Sequence, residues 1–223
     1  MKPYAAYAIG AALVDTEIQV TDAELAAMNV EKGMMTLVDQ ARQRDMLTTL
    51  SDHLIRANHA SGGSAGNSMI ATAMMGAPTY MSCKVAQDAD GDIYLADLEQ
   101  SGVAHGLTER STDGVTGKCI VLITPDAERS LNTHLGISET LSIDEVDEAA
   151  IKGSEWVYLE GYLVTSPSGH AAALKTKALA EAHGVKTAVS FSDPGMVKFF
   201  RDNMAAMVEG GVELVFCLSL IHI

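Results

Sequence analysis

The residues best equipped for chemistry gather around one short stretch, "HASGGSAGNSMIATAMMGA", residues 59–77. Gly62, Gly63 and Gly66 surround Ser64 and Asn67 just where a Met- and Ala-rich helical pattern begins. Glycine is costly in regular structure and is favoured where backbone bends tightly or approaches something closely. A helix N-terminus offers unpaired N–H groups and positive partial charge, which suits a polar or anionic ligand. A capped loop-to-helix junction would use the same residue types, so this stretch alone leaves both readings open. Two more residues complete a set: Asp15 closes the first strand-like run, and Arg129 lies in "TPDAERSLNTHLG". A carboxylate accepts hydroxyl hydrogen bonds, an Asn amide can support a diol, and Arg supplies fixed positive charge. Together they would bind a polyol with a phosphate nearby.

Other chemistries are poorly marked. "QDADGDIYLADLE" places Asp88, Asp90 and Asp92 at alternate positions with Glu99 following, which imitates a calcium loop. The turn glycine of such a loop should stand where Ile93 is, so acidic residues at a helix start are the better reading. The seven histidines form no HExxH or Cys/His cluster, and no metal-ligating set is nominated. There is no GxSxG, GxxxxGK[ST] or GxGxxG. A Rossmann-type oxidoreductase therefore lacks its fingerprint, whereas a non-catalytic ligand-binding domain stays open as a rival to an enzyme.

Short β-branched and aliphatic runs predict strands over 4–14, 17–20, 35–38, 79–86, 119–124, 156–164, 186–192 and 212–217. Helical patterns fill most of the gaps, over 22–28, 39–57, 64–75, 91–100, 143–152, 168–183 and 194–209. Asp22, Asp39, Ser168 and Asp193 read as caps or first-turn residues, and Pro194 as a first helical position. The late β-α-β-α-β series predicts parallel strands joined by right-handed crossovers, hence an α/β sandwich. In a parallel sheet, ligands bind where strands end and helices begin, which is where Asp15 and the glycines fall. Segments 16–38 and 114–136 carry strands without crossover helices and predict a small sheet outside the main layer.

Composition narrows the partners. The chain has 223 residues, 48% of them hydrophobic and 20% charged, enough to bury one sizeable core. Its formal net charge of −14 argues against nucleic-acid or anionic-membrane binding, both of which need clustered cations. Cys83, Cys119 and Cys217 are far apart in apolar surroundings, and read as buried free thiols in a reducing compartment. The N-terminal apolar stretch is too short to span a bilayer and runs on as strand-like sequence, so a cytoplasmic location is expected.

The order of motifs "AIGAALVD", "EKGMMTLVD", "ASGGSAGNS", "KVAQDADGDIYLADLEQSGV" and "TGKCIVLITPDAERSLNTHLG" resembles the ribokinase-like (PfkB) sugar kinase family, nearest its adenosine kinase branch. The resemblance runs from about Tyr4 to Cys217. It implies a three-layer α/β/α ribokinase-like sandwich with a small β-sheet lid, built from segments 16–38 and 114–136. The implied reaction moves the γ-phosphoryl of ATP, with Mg²⁺, to a primary hydroxyl, most naturally adenosine to AMP. Other sugar kinases of the family are the alternative. Asp15, the Gly62-Gly63 backbone and Asn67 would hold sugar hydroxyls, and Arg129 would reach the phosphates from the lid. Leu37 and Tyr162, the latter in the "EGYLVT" strand, would wall in a base or sugar. Ala11 departs from the Asn of nucleoside-directed relatives, which leaves nucleoside against sugar open.

The family's Asn-x-x-Glu motif and Gly-rich Asp-containing loop, which carry the catalytic base, do not follow Cys217. The chain ends in "LSLIHI", 218–223, which reads as a non-native tail, and 1–217 then reads as the N-terminal part of one kinase domain. Such a piece would hold most of the sugar half-site, no catalytic base and no metal ligand, and is expected to be inactive and poorly soluble alone. Oligomerisation of the complete enzyme is expected to be either none or a homodimer through the lid.

Overall fold

The apolar run 4–14 divides between two sheets in the computed structural model, which describes residues 2–56, 58–107 and 110–217. β1 (Tyr4–Ile9) enters the larger sheet, Gly10, Ala11 and Ala12 turn the chain, and β2 (Leu13–Gln19) opens the second sheet. One unbroken strand was the expectation because both halves are apolar on both faces, the pattern of a strand covered on either side. Tyr7 and Ile9 pack into one core cluster and Ala8 into the opposite one, following the two-residue period of a strand.

The remaining strands are β3 (Met35–Leu37), β4 (Asn58–Gly62), β5 (Thr79–Ser82), β6 (Val103–His105), β7 (Gly117–Ile123), β8 (Arg129–His134), β9 (Ser154–Leu159), β10 (Lys186–Ser190) and β11 (Leu214–Phe216). The larger sheet has the order β11-β10-β9-β1-β5-β6 and is parallel throughout. Helices α1 (Asp22–Ala27), α2 (Gln40–Thr49), α3 (Ser64–Met74), α4 (Ala89–Gln100), α5 (Glu148–Lys152), α6 (Pro167–Ala182), α7 (Pro194–Phe199) and α8 (Arg201–Val208) complete the chain. On one face of the large sheet α3 and α4 bury Met69, Tyr94 and Leu98 against Ala8 and Met81. On the other, α5 to α8 bury Ile151, Ala172, Met196 and Met204 against Tyr7, Val157 and Leu159. The expected three-layer α/β/α sandwich is therefore the observed architecture. Full burial of one such aliphatic or aromatic side chain stabilises the fold by roughly 1.5–3 kcal/mol.

The second sheet has the order β3-β8-β7-β2-β4. It is mixed: β2 runs parallel to β7 and antiparallel to β4, and β7 runs antiparallel to β8. α1 and α2 cover one of its faces around Ile18, Leu25, Met46, Leu50, Ile120 and Leu122. Its other face carries Leu13, Cys119 and Val121, with Leu131 and Leu135 packed beside them. Residues 58–62 join this sheet although their polar, small side chains give no strand pattern.

Several expected elements are shorter than their sequence patterns. The strand over 156–164 stops at Leu159, and Gly161–Thr165 forms a 3-10 turn, so Tyr162 is a turn residue rather than a strand residue. A side chain at Gly161 would stand 2.3 Å from the Ser190 carbonyl, so the turn packs directly against the end of β10 and needs glycine there. The helix over 39–57 ends at Thr49 and gives way to a 3-10 turn, and that over 194–209 breaks at Phe200. The caps hold: Asp39 accepts a hydrogen bond from the Arg42 N–H at 2.7 Å, and Asp193 one from Gly195 at 2.6 Å. Cys83 and Cys119 are buried, but Cys217 is exposed, because it follows an edge strand whose three residues are all exposed. Among the described residues no helix is long and apolar enough to cross a membrane. The tail 218–223 lies outside the described residues.

Candidate functional site

The chain crosses between its two sheets at residues 10–12 and again at 62–63, and the two crossings lie side by side. Gly63 has φ +86°, and a side chain there would stand 2.4 Å from the Ala11 carbonyl oxygen. Only glycine tolerates both the left-handed backbone and that approach. The first crossing is pinned by Ser138, whose Oγ accepts from the Ala12 N–H at 3.1 Å and donates to the Ala12 carbonyl at 2.9 Å. Just before the second crossing, Asp97 Oδ2 of α4 accepts from the Ser61 N–H at 2.9 Å and its hydroxyl at 2.7 Å.

These crossings place Asp15 and Gly62 in contact. Asp15 sits on β2 opposite Ala60 of β4 and Cys119 of β7. A Cβ on Gly62 would stand 2.0 Å from Asp15 Oδ1. The carboxylate thus lies flat against bare backbone, and none of the described residues donates a hydrogen bond to it. Burial pushes its pKa up to about 6, against the pull of Arg129 and with a smaller push from Glu17. A half-buried carboxylate with unused acceptor positions is an arrangement suited to ligand hydroxyls.

Gly63 is the N-cap of α3 and makes no side-chain cap, so the first turn presents its N–H groups. One of them, from Ala65, donates to Glu160 Oε2 at 3.1 Å. Glu160 directly follows β9, as the N-cap of the 3-10 turn, and is 1% exposed. Burial raises its carboxyl to about 7, partly offset by the hydrogen bond from the Ala65 backbone. Arg129 opens β8, and its Nη2 meets Glu17 Oε1 at 2.5 Å.

A cavity of about 260 Å³ opens between α3 and the second sheet. That lies just under the usual range for small-molecule sites, roughly 300–1,000 Å³. Its floor is polar, made by Asp15, Gly63, Ser64, Asn67 and Glu160. The rest of its lining is mostly apolar, with Leu13, Met35, Leu37, Leu131 and Leu135 from the second sheet and its flanks and Tyr162 from the 3-10 turn, interrupted by Arg129, Thr133 and Thr165. Burial raises the Tyr162 hydroxyl pKa, and the nearby carboxylates of Asp193 and Glu160 add to the shift, so it stays a protonated donor. Cys119 also lines the wall, its thiol pushed up to about 12 by burial and hence inert as a nucleophile.

Asp15, Gly63, Asn67, Leu37, Tyr162 and Arg129 all line this one cavity, and Gly62 abuts Asp15 beside it. Glu160, Cys119, Leu131 and Leu135 were not anticipated. The structure ends β9 at Leu159, which puts Glu160 at the C-terminal end of a parallel strand, where α/β folds bind ligands, and the expected strand over 156–164 hid that position. The acidic run 88–92 does not converge on this cavity. Asp88 accepts from the Gly91 N–H at 2.8 Å, the Thr116 N–H at 2.8 Å and the Thr116 hydroxyl at 2.6 Å, and so serves as a helix cap. Among the described residues no group of three or more His, Cys, Asp or Glu could hold a metal ion.

Comparison with known proteins bears on this arrangement. The pfkB family carbohydrate kinase pattern matches residues 32–217. Mouse (Mus musculus) ribokinase is 27% identical over 126 residues, which is 56% of this chain and 38% of the relative. Among solved structures, adenosine kinase from Sinorhizobium meliloti superposes with a TM-score of 0.92 at 31% identity, over 99% of this chain and 66% of that one. A probable sugar kinase from Rhizobium etli CFN 42 gives a TM-score of 0.92 at 29% identity with the same coverage. The chain thus spans about two fifths of the curated ribokinase and 66% of these two structures.

Proposed function

Because this chain belongs to the pfkB family of carbohydrate kinases, we propose that its cavity holds a nucleoside whose primary hydroxyl receives a phosphoryl group from ATP, with adenosine the best fit. The observation that carries this reading is the two-sided cavity. A bare sugar would need the polar floor alone, whereas five aliphatic residues and Tyr162 give a flat apolar base something to bury against. The similarity to an adenosine kinase supports the same choice. We read residues 1–217 as part of one kinase domain with 16–38 and 114–136 as lid segments.

In this reading Asp15 accepts hydrogen bonds from sugar hydroxyls, and the bare backbone at Gly62-Gly63 lets the ring lie against the chain. Asn67 adds an amide from the first turn of α3, and Glu160 an acceptor, or a donor when protonated, from below. Their joint effect is to fix the sugar so that its hydroxyl is presented in one orientation, the entropic part of catalysis. The lid residues exclude water, and Arg129 supplies positive charge for a phosphate. ATP brings the phosphoryl group.

Calorimetry with adenosine and with ribose tests the substrate class. Adenosine is expected to bind at least about tenfold more tightly, given roughly 25 cal/mol per Å² of apolar surface buried by the base. Equal affinities would remove the nucleoside and leave a sugar. Asp15→Ala is expected to weaken adenosine binding by about 1–3 kcal/mol, the cost of leaving buried hydroxyls unpaired. Unchanged affinity would take Asp15 out of the site.

A further inference from the structure

Arg129 is already engaged. Its ion pair with Glu17 joins two partly exposed side chains, 54% and 36% accessible. Glu17 stands two residues beyond Asp15 on β2, on the same face by the period of a strand. Arg129 is in register with Ile123 of β7 and Glu17 with Val121, so the guanidinium reaches across β7 to meet it. Arg129 lines the cavity and Glu17 does not.

We propose that Glu17 is a positioning residue that holds Arg129 at the cavity mouth and competes with phosphate for its guanidinium, so that the cavity favours an uncharged ligand over its phosphorylated form. This rests on reading Arg129 as the phosphate contact. A guanidinium has five N–H donors in a fixed fork, and Glu17 meets the one at Nη2. A phosphate that seats on that edge must displace Glu17, and on any edge it brings about −1.5 to −2 charges at neutral pH close to the Glu17 carboxylate. Asp15 feels both partners, drawn down by Arg129 and pushed up by Glu17, which places all three charges within one another's field. An uncharged nucleoside disturbs none of them. A phosphorylated product meets two carboxylates against one guanidinium, and the excess negative charge favours its departure.

Glu17→Gln keeps the shape and removes the competing charge. In calorimetry it is expected to leave adenosine affinity within about twofold and to tighten adenosine 5′-monophosphate by about two- to fivefold, the range for an exposed ion pair. High salt should erase the gain, and Glu17→Asp should restore the original ratio of the two affinities. Tripolyphosphate alone gives an independent reading: Glu17→Gln should bind it more tightly, and adding Arg129→Gln should abolish that gain. If adenosine binds but neither phosphate ligand tightens in Glu17→Gln, the proposal about Glu17 is wrong and the nucleoside reading stands. If tripolyphosphate tightens while adenosine binds no form of the protein, Glu17 has the assigned role and the nucleoside reading is wrong.

Discussion

Gly62→Ala is expected to abolish adenosine binding while leaving the protein folded. The added Cβ would stand 2.0 Å from Asp15 Oδ1 and 2.3 Å from its Cγ, well inside contact distance. What must yield is a side-chain carboxylate, because its three nearest neighbours are all atoms of Asp15. The chain can therefore fold by turning Asp15 away, and in doing so it loses the acceptor that the proposed sugar needs. The flat backbone surface is lost with it. A decrease in affinity of about a hundredfold or more follows, at or beyond the upper end for leaving one buried polar group unmet. The melting temperature should drop by only about 4 °C or less, since a chain of this size loses roughly 2–4 °C per kcal/mol. Circular dichroism with calorimetry separates the two effects. A folded Gly62→Ala protein that binds adenosine like the wild type would show that the diglycine crossing is structural only.

The second large effect is a dependence of stability on pH that runs opposite to acid denaturation. Burial raises the Glu160 carboxyl from 4.5 to about 7 and that of Asp15 from 3.8 to about 6. A carboxyl whose pKa is raised on folding favours the folded state fully below its unfolded value, and loses that contribution as pH climbs through the folded value. The loss from Glu160 therefore falls between about pH 4.5 and 7. At 1.36 kcal/mol per unit of pKa it is on the order of 3 kcal/mol. Glu160→Gln is neutral throughout, and its amide oxygen can still accept from the Ala65 N–H. Relative to the wild type the variant should gain melting temperature as pH rises from 5 to 8, by roughly 6–12 °C. A difference between the two proteins that does not change with pH would mean that Glu160 is hydrated or paired in solution.

The α/β layering was legible because its signals are local: capping residues at Asp39 and Asp193, Pro194 at a first helical position, and apolar runs alternating with helical periods. The handover from β1 to β2 was not, because a strand that leaves one buried sheet for another stays apolar throughout. Only the small residues Gly10, Ala11 and Ala12 mark the bend. β4 was invisible for the opposite reason. "NHASG" has little strand propensity and is held extended by antiparallel pairing with β2 from Leu13 to Glu17, a long-range cause that no local window contains. In the site, Asp15 and the diglycine stood out by residue type. Glu160 read as one residue inside an expected strand over 156–164, and its importance comes from being sealed beneath the first turn of α3, about 95 residues away in sequence. Leu131 and Leu135 were equally unmarked, since an aliphatic residue that walls a cavity reads the same as one that fills a core.

The order of strands in the large sheet has a consequence for the chain while it is being made. β1 is synthesised well before β9, one of its two neighbours, with Ile9 opposite Leu159. At synthesis rates of about 5–20 residues per second, roughly 8 to 30 s separate the two strands. Through that interval Tyr7, Ala8 and Ile9, which are all fully buried in the finished protein, have β5 as their only possible partner in the sheet. β2 waits likewise for β7, opposite which Asp15 meets Cys119. The strand that carries Asp15 and the strand that centres the sheet thus both depend on partners made much later in the chain. Their exposed apolar edges are what a nascent-chain chaperone recognises, and for this topology such shelter matters more than for a fold whose first strands pair with each other.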